Sequence, residues 1–218
     1  PTTPSWADEL ADDYKDAKGY WYGTYKTPVV MFYNKELMSA EEAPKDWSDL
    51  VKEEYQGKII SRDSLSSSMR STIAALVSFY SEKDGEDAAW DYVTKLNANT
   101  KNYYNSGSMM FQAIGKGEAA ISMAVLDNVI DNRDNNKMPL EITITDCIAA
   151  IKDAPHPNAA AEFIEFVGSK EGEELVANSF NRMPALDAAL ENAPEWMQTG
   201  YEPMKLDWSV ISANQTDW

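Results

Sequence analysis

The strongest constraint on the fold is a rhythm. Short apolar, β-prone runs alternate with longer stretches of helical periodicity. Val29 to Asn34 reads VVMFYN, and Gly57 to Ser61 reads GKIIS. Ala119 to Val125 reads AAISMAV, and Leu140 to Lys152 alternates before turning apolar. The first three runs are too short for a helix and are each expected to be a strand; the fourth, by its alternation, is expected to be one strand or two. Between them, Met69, Ile73, Leu76, Val77 and Tyr80 fall on one helical face, which Gly85 closes. A second helix is expected from Asp87, carrying Trp90, Val93 and Leu96, and a shorter one from Ser106 to about Gly115. Asp127 to Asp131 and Lys170 to Asn178 are also expected to be helical, with another helix entered at Pro157. Strands that alternate with helices imply an α/β architecture with mainly parallel sheets.

Composition narrows the function. The chain of 218 residues carries 36 acidic and 19 basic side chains, a formal charge of -17. That balance disfavours nucleic acid and anionic membrane surfaces as partners. No stretch reaches the roughly 18 apolar residues of a membrane span. The single cysteine, Cys147, allows no intrachain disulfide and reads as a small buried hydrophobe. The sequence starts at Pro1-Thr2-Thr3-Pro4 without an initiator Met and ends at Trp218, which reads as a piece of a longer chain.

Catalytic motifs are missing. There is no G-x-S-x-G, H-E-x-x-H, phosphate loop or dinucleotide-binding glycine pattern. A Ser-His-Asp triad would have to use the only histidine, His156, which sits between two prolines and reads as a loop residue. No catalytic residue, metal site or cofactor is expected. Tyr103-Tyr104 could offer tyrosinate oxygen to ferric iron, against the simpler reading of an aromatic edge on a loop.

Two serine-rich loops lead into helices: Ser64 to Arg70, and Asn105-Ser106-Gly107-Ser108. A helix start presents unpaired N–H groups and the positive end of the macrodipole. Either loop alone is an ordinary N-cap. Facing each other, they would form a small oxyanion pocket. Trp21, Tyr22 and Tyr25 are equally suited to an aromatic wall and to packing between lobes.

Several segments, taken in order, resemble the iron, phosphonate and sugar-phosphate branch of the bacterial extracellular solute-binding proteins of ABC importers. Trp21-Tyr22-Gly23-Thr24-Tyr25 followed by VVMFYN is similar to the segment entering that family's interlobe crossover. Pro44-x-x-Trp47-x-x-Leu50 with Tyr55-x-Gly57-Lys58-Ile59 resembles its P-x-x-W-x-D-L…Y-x-G-K-I pattern. Ser66-Ser67-Ser68 stands where relatives carry Ser-Ser-Gly-Thr. Tyr104-x-Ser106-Gly107-Ser108 with Gly117-Glu118-Ala119 resembles Y-x-S-G-S…G-E-A. Asp146 to Ser169, Lys170-Glu171 and Phe180-Asn181-Arg182-x-Pro184 continue the match.

The resemblance implies a periplasmic-binding-protein-like α/β fold with one complete lobe and the C-terminal part of the other. Residues 1–28 would be a remnant of lobe 1 and the crossover, 29–142 lobe 2, and 143–218 the rest of lobe 1. The implied function is non-enzymatic: capture of a small solute and delivery to a membrane-embedded ABC permease. The implied location is the periplasm or the extracellular face of the membrane, as a lipoprotein or exported protein. With part of lobe 1 absent, weak ligand binding and self-association are expected.

Two departures shape the ligand. Iron-binding relatives carry a tyrosine pair where this chain has Leu126-Asp127-Asn128, and Ser68 replaces a loop glycine. The first counts against ferric iron. The expected ligand carries an oxyanion, as a phosphonate or organophosphate does. Ser67, Ser68, Ser106, Gly107 and Ser108 would donate to it and Arg70 would add charge. Asp127 and Asn128 would bond a polar or cationic part, and Trp21 and Tyr25 would cover it. A ferric or cationic ligand is the alternative within the class; an α/β hydrolase or transferase is the alternative outside it.

Overall fold

The computed structural model describes residues 3–146 and 166–198. These fall into two units, treated separately here: 29–145 in one, and 3–28 with 166–198 in the other.

The larger unit is built on a five-stranded sheet. Its strands are β2 (Val29–Asn34), β3 (Ile59–Arg62), β4 (Thr100–Tyr104), β5 (Ile121–Val125) and β6 (Leu140–Asp146). The spatial order is β4-β3-β5-β2-β6. From Val30 to Asn34 every residue of β2 is buried, so the strand is covered on both faces. That is why it reads as a continuous apolar run and not as an alternating one. β3 runs parallel to both β4 and β5. β2 runs antiparallel to β5, pairing Val29 with Val125 and Tyr33 with Ile121. The sheet is therefore mixed, where mainly parallel pairing was expected. A strand apolar on both faces carries no signal of its direction, so periodicity could not reveal the reversal.

β4 was not anticipated. Its residues, TKNYY, are mostly exposed and lie at the sheet edge, so they show no buried alternation. Tyr103 and Tyr104 thus belong to an edge strand and not to a loop.

Helices α1 (Ser67–Asp84) and α2 (Glu86–Asn99) are joined by Gly85 alone. That glycine ends one helix and begins the next at φ 92°, a conformation side chains rarely adopt. The hairpin closes over a core containing Leu76, Val77, Ala89, Tyr92 and Leu96 together with Met31, Leu50, Ile59 and Ile121. Tyr80 and Tyr92 stack with centroids 4.3 Å apart. Burial, reinforced by Asp46 and Asp84, pushes the Tyr80 hydroxyl up to about 12. Tyr92 donates to the Trp47 carbonyl at 2.6 Å.

Two shorter helices, α3 (Gly107–Gly115) and α4 (Leu126–Asp134), complete the unit. Asn34, fully buried at the end of β2, donates to the Ile114 carbonyl at 2.7 Å. The Ile114 carbonyl also accepts from the Gly117 N–H at 3.0 Å, so the Asn34 amide adds a second bond that ties the end of α3 to the sheet. Phe32 stacks on Phe111 of α3 at 5.4 Å.

In the smaller unit, β1 (Tyr25–Lys26) pairs antiparallel with β7 (Met183–Pro184). α5 (Lys170–Phe180) starts at the Ser169 cap and ends at Asn181 in the left-handed conformation. Asp187–Leu190 (α6) and Glu195–Gln198 (α7) are single turns. Trp6, Leu10, Ala185, Leu186 and Ala189 form a small core. Buried Glu173 accepts from the Leu186 N–H at 2.7 Å. Cys147, His156 and the helix expected after Pro157, as far as residue 165, lie outside the described residues; Phe166 and Val167, at its end, are helical.

Candidate functional site

Because β3, β4 and β5 are mutually parallel, their C-terminal ends share one edge of the sheet. Each is followed at once by a helix: α1 after β3, α3 after β4, α4 after β5. Three helix starts therefore converge where open α/β sheets bind ligands. The first turns line a single cavity of about 580 Å³, through Ser68 of α1, Gly107 and Ser108 of α3, and Asn128 of α4. All of its lining residues belong to the larger unit.

The helix starts are open to a ligand. Ser66 caps α1 by accepting from the Met69 N–H at 3.5 Å. α3 and α4 begin at Ser106 and Val125 with no side-chain cap at all. Their first-turn N–H groups lack the partner that a capping side chain would supply. For α4 the cause is local: the strand runs directly into the helix, leaving no loop residue to cap it.

Arg62, the last residue of β3, completes this end of the cavity. Its register opposite Tyr104 brings the guanidinium to the β4–α3 turn. Nε donates to the Tyr104 carbonyl at 3.1 Å and Nη2 to the Asn105 carbonyl at 3.0 Å. These neutral acceptors orient the fork without neutralising it, and no described carboxylate lies within 4.0 Å of it. Nη1 lies beside the first turn of α3, where a Cβ added at Gly107 would stand 3.2 Å from it. Gly107 thus keeps the guanidinium and the helix start close together. Arg133, on α4, has a different environment. It binds Asp134 at 2.7 Å and Glu141 at 3.3 Å, so its charge is compensated.

Of the residues expected at the site, Ser68, Gly107, Ser108 and Asn128 share the cavity wall. Ser67, Ser106 and Asp127 occupy the same helix starts but do not line it, and Asp127 accepts from the Asn128 amide at 3.3 Å. Arg70 is exposed and folds back to donate to the Ser64 carbonyl at 2.8 Å. Arg62, not Arg70, is the arginine of the cavity wall. Trp21 and Tyr25 belong to the smaller unit, where the Arg182 guanidinium sits 5.4 Å above the Tyr25 ring. The Tyr103 hydroxyl bonds Asn97 at 2.8 Å and the Tyr104 hydroxyl bonds Glu118 at 3.0 Å. Neither tyrosine lines the cavity. The described residues hold no group of three or more His, Cys, Asp or Glu suited to a metal.

A model of the family described as bacterial extracellular solute-binding protein matches residues 1–200. The chain belongs to the bacterial extracellular solute-binding proteins. This is a family of binding proteins, not of enzymes. Among its relatives, a probable ABC transporter periplasmic-binding protein, y4fP of Sinorhizobium fredii, is 26% identical over 231 residues. That match covers 100% of this solute-binding chain and 64% of the relative, so the chain spans a little under two-thirds of that protein's length. Its fold is that of the periplasmic binding proteins. The Trichodesmium protein IdiA (FutA), solved with iron and citrate, superposes with a TM-score of 0.81 at 18% identity, covering 100% of this chain and 73% of that one. AfuA of Actinobacillus pleuropneumoniae, solved with fructose-6-phosphate, gives 0.63 at 22% identity, covering 94% and 66%. No helix among the described residues is long and apolar enough to cross a membrane.

Proposed function

We propose that this chain is the ligand-capturing part of a substrate-binding protein that serves an ABC importer outside the cytoplasmic membrane, and that its ligand carries an oxyanion. The unit of residues 29–145 is the lobe that receives the anion. Residues 3–28 and 166–198 belong to the other lobe. The carrying observation is the convergence of three helix starts on one cavity beside the Arg62 guanidinium. Backbone N–H groups, helix dipoles and a fixed fork of donors together match a phosphate, phosphonate or carboxylate group. The acidic character of the whole chain does not oppose this, because screened surface charges act weakly over a distance that local donors do not have to span.

A ferric ligand fits these residues poorly. The cavity wall includes a single carboxylate, Asp131, and no tyrosine. An anion that itself chelates a metal is accommodated by the same donors and needs no metal ligands from the chain.

Thermal unfolding in the presence of graded ligands tests the proposal. Inorganic phosphate, methylphosphonate and fructose 6-phosphate are expected to raise the midpoint at millimolar concentration. Ligand at about ten times its Kd stabilises by about 1.4 kcal/mol. Ferric chloride is expected to leave the midpoint unchanged. Stabilisation by ferric ion with none by any anion would overturn the oxyanion reading.

A further inference from the structure

The cavity is longer than the anion cradle. It follows α4 from Asn128 in its first turn through Asp131 and Asn132 to Asn136, just past the last turn. On the opposite side it follows α3 from Gly107 to Gln112. Both helices start at the same edge of the sheet, so the space between them is a trough with one electrical polarity. Amides and the Arg62 guanidinium stand at its head. Further along, the last-turn carbonyls already accept backbone N–H groups, Gln112 from Lys116 and Asn132 from Met138, so the negative charge there is that of Asp131. Asp131 adds a carboxylate about 6 Å along α4 from Asp127, at 1.5 Å per residue. Its Oδ1 accepts from the Asn135 amide at 2.6 Å, and its Oδ2 accepts from no described residue. The rest of the α4 wall is amide. Asn132 donates to the Asn128 carbonyl at 2.8 Å, and Asn136 to the Asn132 side chain at 3.2 Å. Lys116 and Lys137 flank the foot but do not line the trough.

We infer that Asp131 is a specificity-determining residue and that the trough selects ligands of one polarity, with an anion at one end and a cationic or hydrogen-bond-donating group at the other. A second anionic group at the foot would meet the Asp131 carboxylate and be rejected. A cationic or donor group would meet its open Oδ2. The amide row offers donors and acceptors alike, so it accepts the middle of the ligand without setting its charge. This inference rests on the anion reading of the same cavity.

Four probes on one phosphonate head separate the two: methylphosphonate, butylphosphonate, 4-aminobutylphosphonate and 4-phosphonobutyrate. Affinities are read by NMR titration of the whole chain. The amine is expected to bind at least about fivefold more tightly than the carboxylate, a partly screened charge effect. Asp131→Asn should bring the two within about twofold, by weakening the amine and strengthening the carboxylate. Equal binding of amine and carboxylate by the unsubstituted chain, or a preference that survives Asp131→Asn, would overturn the role of Asp131 and leave the cradle standing. Binding of none of the four would overturn the cradle itself, and this inference with it.

Discussion

Replacing Arg62 with alanine is expected to weaken phosphate binding by roughly 10- to 100-fold. A hydrogen bond to a charged partner contributes on the order of 1.5–3 kcal/mol, and 1.4 kcal/mol is tenfold in affinity. The guanidinium is already aimed, because the Tyr104 and Asn105 carbonyls hold two of its nitrogens. Little side-chain freedom remains to be lost when the ligand arrives. Arg62→Lys is the informative companion. Lysine keeps the charge but cannot bridge two carbonyls and reach an anion with a planar fork. It should recover part of the binding and not all of it. Arg70→Ala is the internal control: that side chain is exposed and bonded to Ser64, so its removal should change affinity less than twofold. Titration calorimetry reads all three. An Arg70→Ala variant weaker than Arg62→Ala would show that the wrong arginine has been placed at the anion.

Phe32→Ala is expected to destabilise the protein by about 3–5 kcal/mol, the range for truncating a buried aromatic. Phe32 is fully buried on β2, an interior strand of the sheet, and stacks on Phe111. Its loss leaves a cavity beneath α3 and forfeits the ring pair. Because domain stabilities run at about 5–15 kcal/mol, this one change removes a large fraction of the total. Phe111 is also part of the cavity wall, so the variant that remains folded should bind phosphate less tightly. Urea denaturation gives the first quantity. A loss under about 1 kcal/mol would mean that the sheet and α3 collapse together to fill the space, and that the site does not depend on this contact.

Much of this architecture was legible in the sequence. The starts of α1 and α3 were marked by Ser66 and Ser106-Gly107, because capping chemistry is local and leaves a residue signature. The strands β2, β3 and β5 were visible as short apolar runs because burial on both faces writes itself into composition. What depends on long-range pairing was not visible. The antiparallel entry of β2 has no local signal. β4 lies at the sheet edge, and its exposed residues carry no apolar pattern.

The same distinction separates the two arginines. Arg70 stood out because it adjoins a serine loop, yet helical geometry turns it back onto Ser64. Arg62 was overlooked because nothing in IISRDS marks it. Its role comes from lying opposite Tyr104 in a parallel pair, more than 40 residues away in the chain. The tyrosine pair shows the same dependence on pairing: the edge strand carries it, and its hydroxyls bond Asn97 and Glu118.

The central claim is that the convergent helix starts and Arg62 form an anion cradle. The direct measurement is a titration of the isotopically labelled chain with inorganic phosphate, followed by amide chemical shifts. The largest saturable shifts are expected at the N–H groups of Ser68, Gly107, Ser108 and Asn128 and at the Arg62 guanidinium, all with one dissociation constant. Shifts that do not saturate, or that cluster at surface lysines and leave these five residues unmoved, would contradict the account.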